Sequence, residues 1–361
     1  MIFSTSTGQG HNQAGRAVRE YLDSRGVETI FSDVLDIGRK KKSARVSNLY
    51  EGIVNHVPFV FGALYAAGER ITSDRRHSPI YFLNSLYSDF LGRAIEEMKP
   101  DVIVCPHLFG SQAVTKLIER KRLDIPTVGV MTDYCCIPFL EETRLDRYAA
   151  TNALVAEECV ARGMRPESLL PLGIPVSGKF SVHIPKAQAR AAFGLKKETV
   201  FVITGGSMGY GKIPQLAAEL VRRRPDADVV AVCGHNKDTY NIVKNIAGVT
   251  ALPFINNLDV LLDAADVLLT KPGGLSTTEA AVKRLPLVIT RPIPGVEDRN
   301  AAFFAKTGMA IAAKTVQGAV EAACRLAGDE AARRAMLQAQ ERHCSATAAR
   351  DIGELVISMA R

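Results

Sequence analysis

The stretch Asp266-Val-Leu-Leu-Thr-Lys-Pro-Gly-Gly-Leu-Ser-Thr-Thr-Glu-Ala-Ala281 decides the fold. Its apolar run, Val267 to Leu269, reads as a buried strand that enters a turn glycines make easily. Ser276 or Thr277 then opens a helix, with Glu279 on the first turn. A helix start presents unpaired N–H groups and the positive end of the helix dipole, so this strand–turn–helix unit suits a phosphate. A carboxylate beside it suits the diol of a sugar.

The chain repeats the device twice. In Thr199-Val-Phe-Val-Ile-Thr-Gly-Gly-Ser-Met-Gly-Tyr-Gly-Lys212 an apolar, β-branched run ends at Gly205-Gly206, and a helix is expected from about Lys212. In Ser4-Thr-Ser-Thr-Gly-Gln-Gly-His-Asn-Gln-Ala-Gly-Arg16 a very short strand enters Gly8-x-Gly10, and His11 stands where the helix starts. None of the three is a Walker A loop, because no Gly-Lys-Ser/Thr follows at the right gap, and none carries a dinucleotide fingerprint. The common reading is a protein that aims several helix N-termini at an anion.

At 361 residues the chain is long enough for two domains, each with its own core. A hydrophobic content of 47% and a charged content of 23% belong to an ordinary soluble protein. No run approaches the roughly 18 apolar residues of a membrane span. The start turns polar by position five, so no signal peptide is expected. The seven cysteines form no C-x-x-C pair and no zinc spacing. A cytosolic compartment and no metal are therefore expected.

The net charge of +7 lies wholly in the second half. Residues 1–170 hold 21 basic against 21 acidic side chains, and residues 171–361 hold 24 against 17. A basic C-terminal half suits a nucleoside diphosphate and requires no nucleic acid. One basic run, Arg39-Lys-Lys-Lys-Ser-Ala-Arg45, precedes two aromatic-laced apolar segments, Val57 to Ala67 and Ile80 to Leu91, with Arg75-Arg76 between them. The plain reading is a solvated loop followed by helical core. The sharper one is a surface for anionic lipid, with Lys40, Lys41, Lys42, Arg75 and Arg76 as cations and Phe59 and Phe61 as apolar contacts.

Elsewhere short apolar runs alternate with helical patterns. Expected strands lie at 28–32, 102–105, 127–131, 147–151, 200–204, 229–233, 249–252, 267–269 and 287–290, and expected helices include 111–122, 213–224 and 316–326. Such alternation predicts an α/β protein of two Rossmann-like, doubly wound parallel sheets. The Gly/Pro-punctuated stretch Gly173-Ile-Pro-Val-Ser-Gly-Lys179 marks the boundary. The expected organisation is an N-terminal domain over 1–172, a linker at 173–180 and a C-terminal domain over 181–361. The last helix, about 346–361, is a candidate to pack back on the N-terminal domain. Ligands of such sheets bind at the carboxyl ends of strands, where all three glycine turns lie.

Taken together, Gly8-Gln-Gly-His11, Thr132-Asp-Tyr134, Gly173-Ile-Pro175, Gly205-Gly-Ser207, Pro253-Phe-Ile255, Thr270-Lys-Pro-Gly-Gly274 with Glu279, and Pro294-Gly-x-Glu297-x-x-Asn300 resemble the diacylglycerol glycosyltransferases of glycosyltransferase family 28. These are the plant galactolipid synthases and bacterial processive diacylglycerol glucosyltransferases, relatives of the lipid II N-acetylglucosaminyltransferase. The resemblance covers nearly the whole chain. It implies the GT-B fold, with two Rossmann-like domains facing across a cleft. It also implies inverting, metal-independent transfer of a hexose from a UDP-sugar co-substrate, with no cofactor, to diacylglycerol or another lipid acceptor at the inner face of the cell membrane.

The reaction needs a base for the acceptor hydroxyl, and His11 fits that role, as does the family's corresponding His. The plainer alternative is a helix-capping His11. Asp133 is a candidate to hold the acceptor or orient the base. Gly206, Ser207, Gly274, Leu275 and Ser276 are candidates for N–H donors to the leaving UDP. The resemblance implies that Phe254 and Ile255 hold uracil, Glu279 the ribose diol, and Glu297 and Asn300 the hexose.

Several positions depart from the family pattern. Ser177 replaces an Arg near the diphosphate, Ile137 and Leu140 stand where His and Trp are common, and Val296 replaces a Gln. Three rivals follow: a transferase to an undecaprenyl-linked acceptor, a UDP-N-acetylglucosamine 2-epimerase, and a UDP-sugar sensor without chemistry. The identity of the hexose turns on contacts near Val296 and Glu297.

Overall fold

A computed structural model describes residues 1–5, 9–40, 77–290, 292 and 294–360. Gly8, Lys41, Lys42, Phe59, Phe61, Arg75 and Arg76 lie outside the described residues, as does the side chain of Lys40.

The chain divides into two compact units, residues 1–177 with 347–361, and residues 178–346. The first contains strands β1 (Ile2–Ser4), β2 (Phe31–Asp33), β3 (Ile103–Cys105), β4 (Thr127–Val130), β5 (Arg147–Ala150) and β6 (Leu169–Pro171). Its helices are α1 (Gln9–Ser24), α2 (Val34–Lys40), α3 (Pro79–Ser85), α4 (Ser88–Met98), α5 (Leu108–Glu119), α6 (Ala153–Ala161) and, numbered last in the chain, α15 (Ala348–Met359). The second unit contains β7 (Thr199–Thr204), β8 (Ala227–Val232), β9 (Val249–Leu252), β10 (Val267–Thr270), β11 (Leu287–Ile289) and β12 (Ile311–Ala312). Between them run α7 (Lys186–Ala192), α8 (Ile213–Arg223), α9 (Lys237–Val243), α10 (Leu258–Ala264), α11 (Gly274–Val282), α12 (Val296–Thr307), α13 (Val316–Gly328) and α14 (Glu330–His343).

Among the described residues each unit holds a six-stranded sheet, with strand orders β2-β1-β3-β4-β5-β6 and β12-β11-β10-β7-β8-β9. All pairings are parallel, from Ile2 opposite Phe31 to Val232 opposite Leu252. Every parallel pair needs a crossover, which is why strands and helices alternate along the sequence. The central strands are apolar on both faces because helices cover both; Val200, Phe201, Val202, Val229, Val230, Val267 and Leu269 are all buried.

The order of strands reverses once in each sheet. In the first unit β2 and β3 flank β1, and in the second β8 and β10 flank β7. At such a switch point the loops leaving two neighbouring strands part company and open a crevice above their carboxyl ends. The loops entering α1 and α5 flank the first crevice, and those entering α8 and α11 flank the second.

Three expectations shift. The helix of the opening motif begins at Gly274 with Gly273 as N-cap, not at Ser276 or Thr277, so Glu279 sits in its second turn. The Thr277 hydroxyl is turned back onto the Gly273 carbonyl at 2.8 Å and caps nothing. The second strand runs 31–33, not 28–32, and its residues are half-buried. At a sheet edge the apolar pattern is too weak to fix the register. β6 and β12, also edge strands, are only three and two residues long and are absent from the expected set.

The segment Ile80 to Leu91 forms α3 and the start of α4. Ile80, Tyr81, Tyr87 and Leu91 are buried, while Phe82 and Leu86 are 57% and 53% exposed. Among the described residues, no helix is long and apolar enough to cross a membrane.

Candidate active site

In the first unit, β1 delivers the chain to α1, whose first turn carries His11. The His11 Nδ1 lies 3.0 Å from the Pro106 carbonyl at the end of β3 and 2.9 Å from Thr132 Oγ1 beyond β4. A carbonyl only accepts, so Nδ1 carries the proton in the neutral ring and donates it to Pro106. The basic lone pair is therefore on Nε2. Burial pushes the His11 pKa below 6.5; the Asp133 charge and the Pro106 bond oppose this without reversing it. The imidazole is thus neutral near pH 7 and able to take a proton.

His107, which no sequence signal singled out, packs edge-on against His11 with ring centroids 4.4 Å apart. It caps α5, its Nδ1 accepting the Phe109 N–H at 3.0 Å. Burial and the neighbouring His11 hold its pKa well below 6.5. The only advance clue was its place just past the strand end. Asp133 is half-buried on the same pocket wall, and its carbonyl accepts the Thr151 hydroxyl at 2.6 Å, which fixes the main chain. Ile137 and Leu140 line this pocket with Cys135 and Tyr148, so the two departures make its floor apolar.

In the second unit the α11 N-terminus stands beside the Gly205–Gly211 turn. Gly274, Leu275 and Ser276 are the first three residues of α11, whose N–H groups lack intrahelical acceptors by position. Lys271, passed over in the sequence, lies across both turns. A Cβ at Gly206 would stand 3.1 Å from its Cε, and one at Gly273 3.1 Å from its Nζ. The Lys271 ammonium pairs with the Glu297 carboxylate in the first turn of α12, both largely buried. A cation at the positive end of a helix is unfavourable alone, and the carboxylate offsets it. Asp298 accepts the Gly295 N–H at 2.8 Å and secures that helix start.

Asn300 has no exposed surface and donates its amide to the Pro272 carbonyl at 3.1 Å, bracing the Lys271–Gly273 turn. Glu279 is half-buried on α11, and burial pushes its pKa up to about 8 against the opposing pull of Lys179; Asp259 adds to the rise. Lys179 donates to the Asn256 carbonyl at 2.6 Å and pairs with Asp259 at 3.3 Å, so it sits beside the Phe254-Ile255 segment. Ser177 is turned to Glu20 Oε2 at 2.7 Å. Phe254 is 42% exposed and stacks on His235, ring centroids 4.4 Å apart and 11° from parallel. Among the described residues, no group of three or more His, Cys, Asp or Glu side chains is placed to hold a metal ion.

Two parallel-sheet units of this topology make up the GT-B fold. Solved structures share this fold over nearly the whole chain. The glycotransferase of kitacinnamycin matches with a TM-score of 0.68 at 15% identity, covering 100% of this chain and 98% of that one. MurG of Acinetobacter baumannii matches with a TM-score of 0.62 at 14% identity, covering 99% and 98%. The monogalactosyldiacylglycerol (MGDG) synthase model matches residues 11–176, and the glycosyltransferase family 28 C-terminal domain model matches residues 199–344. A processive diacylglycerol beta-glucosyltransferase of Bacillus pumilus is 26% identical over 365 residues, covering 98% of this chain and 94% of that protein. The chain belongs to glycosyltransferase family 28, among its diacylglycerol glycosyltransferases, and is a UDP-sugar-dependent enzyme.

Proposed function

We propose that the protein transfers a hexose from a UDP-sugar to diacylglycerol or a glycosyl-diacylglycerol, with inversion at C1 and without a metal ion, at the inner face of the cell membrane. The observation that carries this reading is the 3.0 Å contact of His11 Nδ1 with the Pro106 carbonyl, an acceptor only, which assigns the proton to Nδ1 and the free lone pair to Nε2 for an acceptor hydroxyl. The hydroxyl proton passes to Nε2 as the oxygen attacks C1. The bond from C1 to the UDP oxygen breaks, and UDP leaves with the electron pair. One base and one displacement invert the anomeric centre. Asp133 stabilises the imidazolium that forms. Charge developing on UDP is met by Lys271 and the N–H groups of Gly274, Leu275, Ser276, Gly206 and Ser207. This protein cation and helix terminus take the place a divalent ion would otherwise fill. Phe254 and Ile255 hold the base, Glu279 the ribose diol, and Glu297, released from Lys271, a hexose hydroxyl.

Exposed Phe82 on α3 and Leu86 just past its end support the membrane reading, since they follow directly on the basic and aromatic stretch at 39–76. Replacing both with Ser is expected to weaken sedimentation with anionic vesicles while leaving UDP binding unchanged; equal sedimentation would remove α3 from the contact.

The deciding experiment measures UDP release from a panel of UDP-sugars, in EDTA, with and without diacylglycerol in anionic mixed micelles. Release that requires the lipid and yields an inverted glycolipid is the expected result. His11→Ala is expected to lower kcat by about 10²–10⁴-fold with UDP affinity kept. UDP release with an epimerised sugar and no lipid requirement would replace this reading with the epimerase one. A fully active His11→Ala variant would remove the base assignment.

A further inference from the structure

We propose that His235 is a positioning residue of the donor site: its ring sets the plane of Phe254 for a pyrimidine base, and its main chain ties that platform to the turn facing the diphosphate. The inference rests on the reading that the second unit holds a UDP-sugar.

The geometry is unusual for a surface. His235 and Phe254 are both exposed, yet their rings lie face to face. A parallel pair in water covers one face of each ring and leaves a flat apolar face open. That face matches a nucleobase in shape and chemistry, whereas a diphosphate or a hexose has no use for it.

The main chain of His235 is not free to wander. Its N–H donates to the Ser207 carbonyl at 2.8 Å, inside the glycine turn after β7. Gly234 before it has φ +58°, and a Cβ there would stand 2.3 Å from that same carbonyl oxygen. Gly209, at φ +57°, leaves no room either, since its Cβ would come within 2.0 Å of the Cys233 carbonyl. On the far side Asn236 caps α9, accepting the Thr239 N–H at 2.8 Å. Cys233 N–H bonds the Leu252 carbonyl at 2.8 Å, joining the end of β8 to the end of β9, and Phe254 follows two residues later through Pro253. The turns leaving β7, β8 and β9 therefore form one hydrogen-bonded frame. With its backbone held on both sides, the His235 ring fixes Phe254 at a set distance from Gly206 and Ser207.

Calorimetric binding of UDP, uridine and pyrophosphate to the full chain tests the idea, using His235→Ala, His235→Phe and Phe254→Ala. His235→Ala is expected to bind UDP and uridine about three- to tenfold more weakly, with pyrophosphate unchanged. It is also expected to raise KM for the UDP-sugar at constant kcat. His235→Phe keeps a flat ring and is expected to restore UDP affinity. Unchanged UDP affinity in His235→Ala, an equal loss of pyrophosphate binding, or failure of His235→Phe to restore binding would each overturn the role. Phe254→Ala separates this failure from that of the underlying reading. Weakened UDP binding in Phe254→Ala with none in His235→Ala sinks His235 alone. If neither change alters UDP binding, the base lies elsewhere and the donor-site assignment fails too.

Discussion

His11 and Glu279 show how burial sets protonation, and they do so with opposite signs. Burial lowers the His11 pKa beneath 6.5, so the acid limb of kcat/KM is expected below that pH. Asp133 opposes the shift, so Asp133→Asn is expected to move the limb to lower pH still, read from a pH–rate profile. A limb at or above 6.5, or one that Asp133→Asn moves upward, would contradict His11 as the base. The same depression bears on stability. The unfolded chain protonates this His near 6.5 and the folded chain only below it, so its contribution is complete above 6.5 and lost as pH falls toward the folded value. Glu279 works the other way. Its folded pKa of about 8 exceeds 4.5, so the folded state holds the extra proton between those values and stability declines as pH rises through them. Without UDP, Glu279→Gln is expected to flatten that decline in thermal melts. An unchanged slope would show that Glu279 is better solvated than its surroundings imply. His11 and Glu279 were both legible in the sequence, each lying in a glycine-turn motif, whereas His107 and Lys271 were not singled out. His107 acts through a ring 96 positions from His11 along the chain. Lys271 acts through α12, and no local pattern announces either contact.

At the scale of elements, the strand–turn–helix units were readable because two physical demands coincide in them. A strand covered on both faces must be apolar, and a turn that lets main chain approach main chain must use glycine. Gly234 meets that demand in an extreme form. Gly234→Ala combines a left-handed φ with a Cβ set 2.3 Å from a backbone oxygen, whereas Gly194, at φ +67°, has nothing within 4 Å of its Cβ. Both substitutions are expected to destabilise. Gly194→Ala should lose roughly 1 kcal/mol and Gly234→Ala clearly more, together with UDP affinity, as read by urea unfolding and calorimetry. Equal losses would mean that the turn relaxes without disturbing its neighbours. The helix start at Gly274 is expected two or three residues late because a glycine N-cap carries no side-chain signature, while the nearby Ser and Thr do. Asn300 shows a related limit of what neighbouring residues reveal. An Asn in a sugar-binding motif looks the same whether its amide faces a ligand or, as here, braces the Pro272 carbonyl.

For the whole molecule, the chain returns to its first unit after completing its second. α15 lies against α1, and Ile352 and Val356 join Ile2, Val18, Leu22, Val104 and Val128 in one core. Gly353 allows the approach, since a Cβ there would stand 2.3 Å from Tyr21 Cδ1. The Tyr21 hydroxyl donates to Glu354 Oε1 at 2.5 Å and holds the ring in place. Gly353→Ala is therefore expected to destabilise the first unit by about 1–3 kcal/mol in urea unfolding, with UDP affinity in the second unit unaltered. No change in stability would mean that α15 shifts freely on α1. The sequence by itself determined the α/β class and the glycine turns at strand ends, because period, apolarity and φ > 0 are local properties written in neighbouring residues. It also marked the basic second half and the residues that mark the family. Tertiary structure alone decided the strand orders and hence the two switch points, the tautomer of His11, the pairing of Lys271 with Glu297 and the stack of His235 on Phe254. Each of these depends on groups brought together from distant parts of the chain, and their burial and pairing exist only once the sheets have formed.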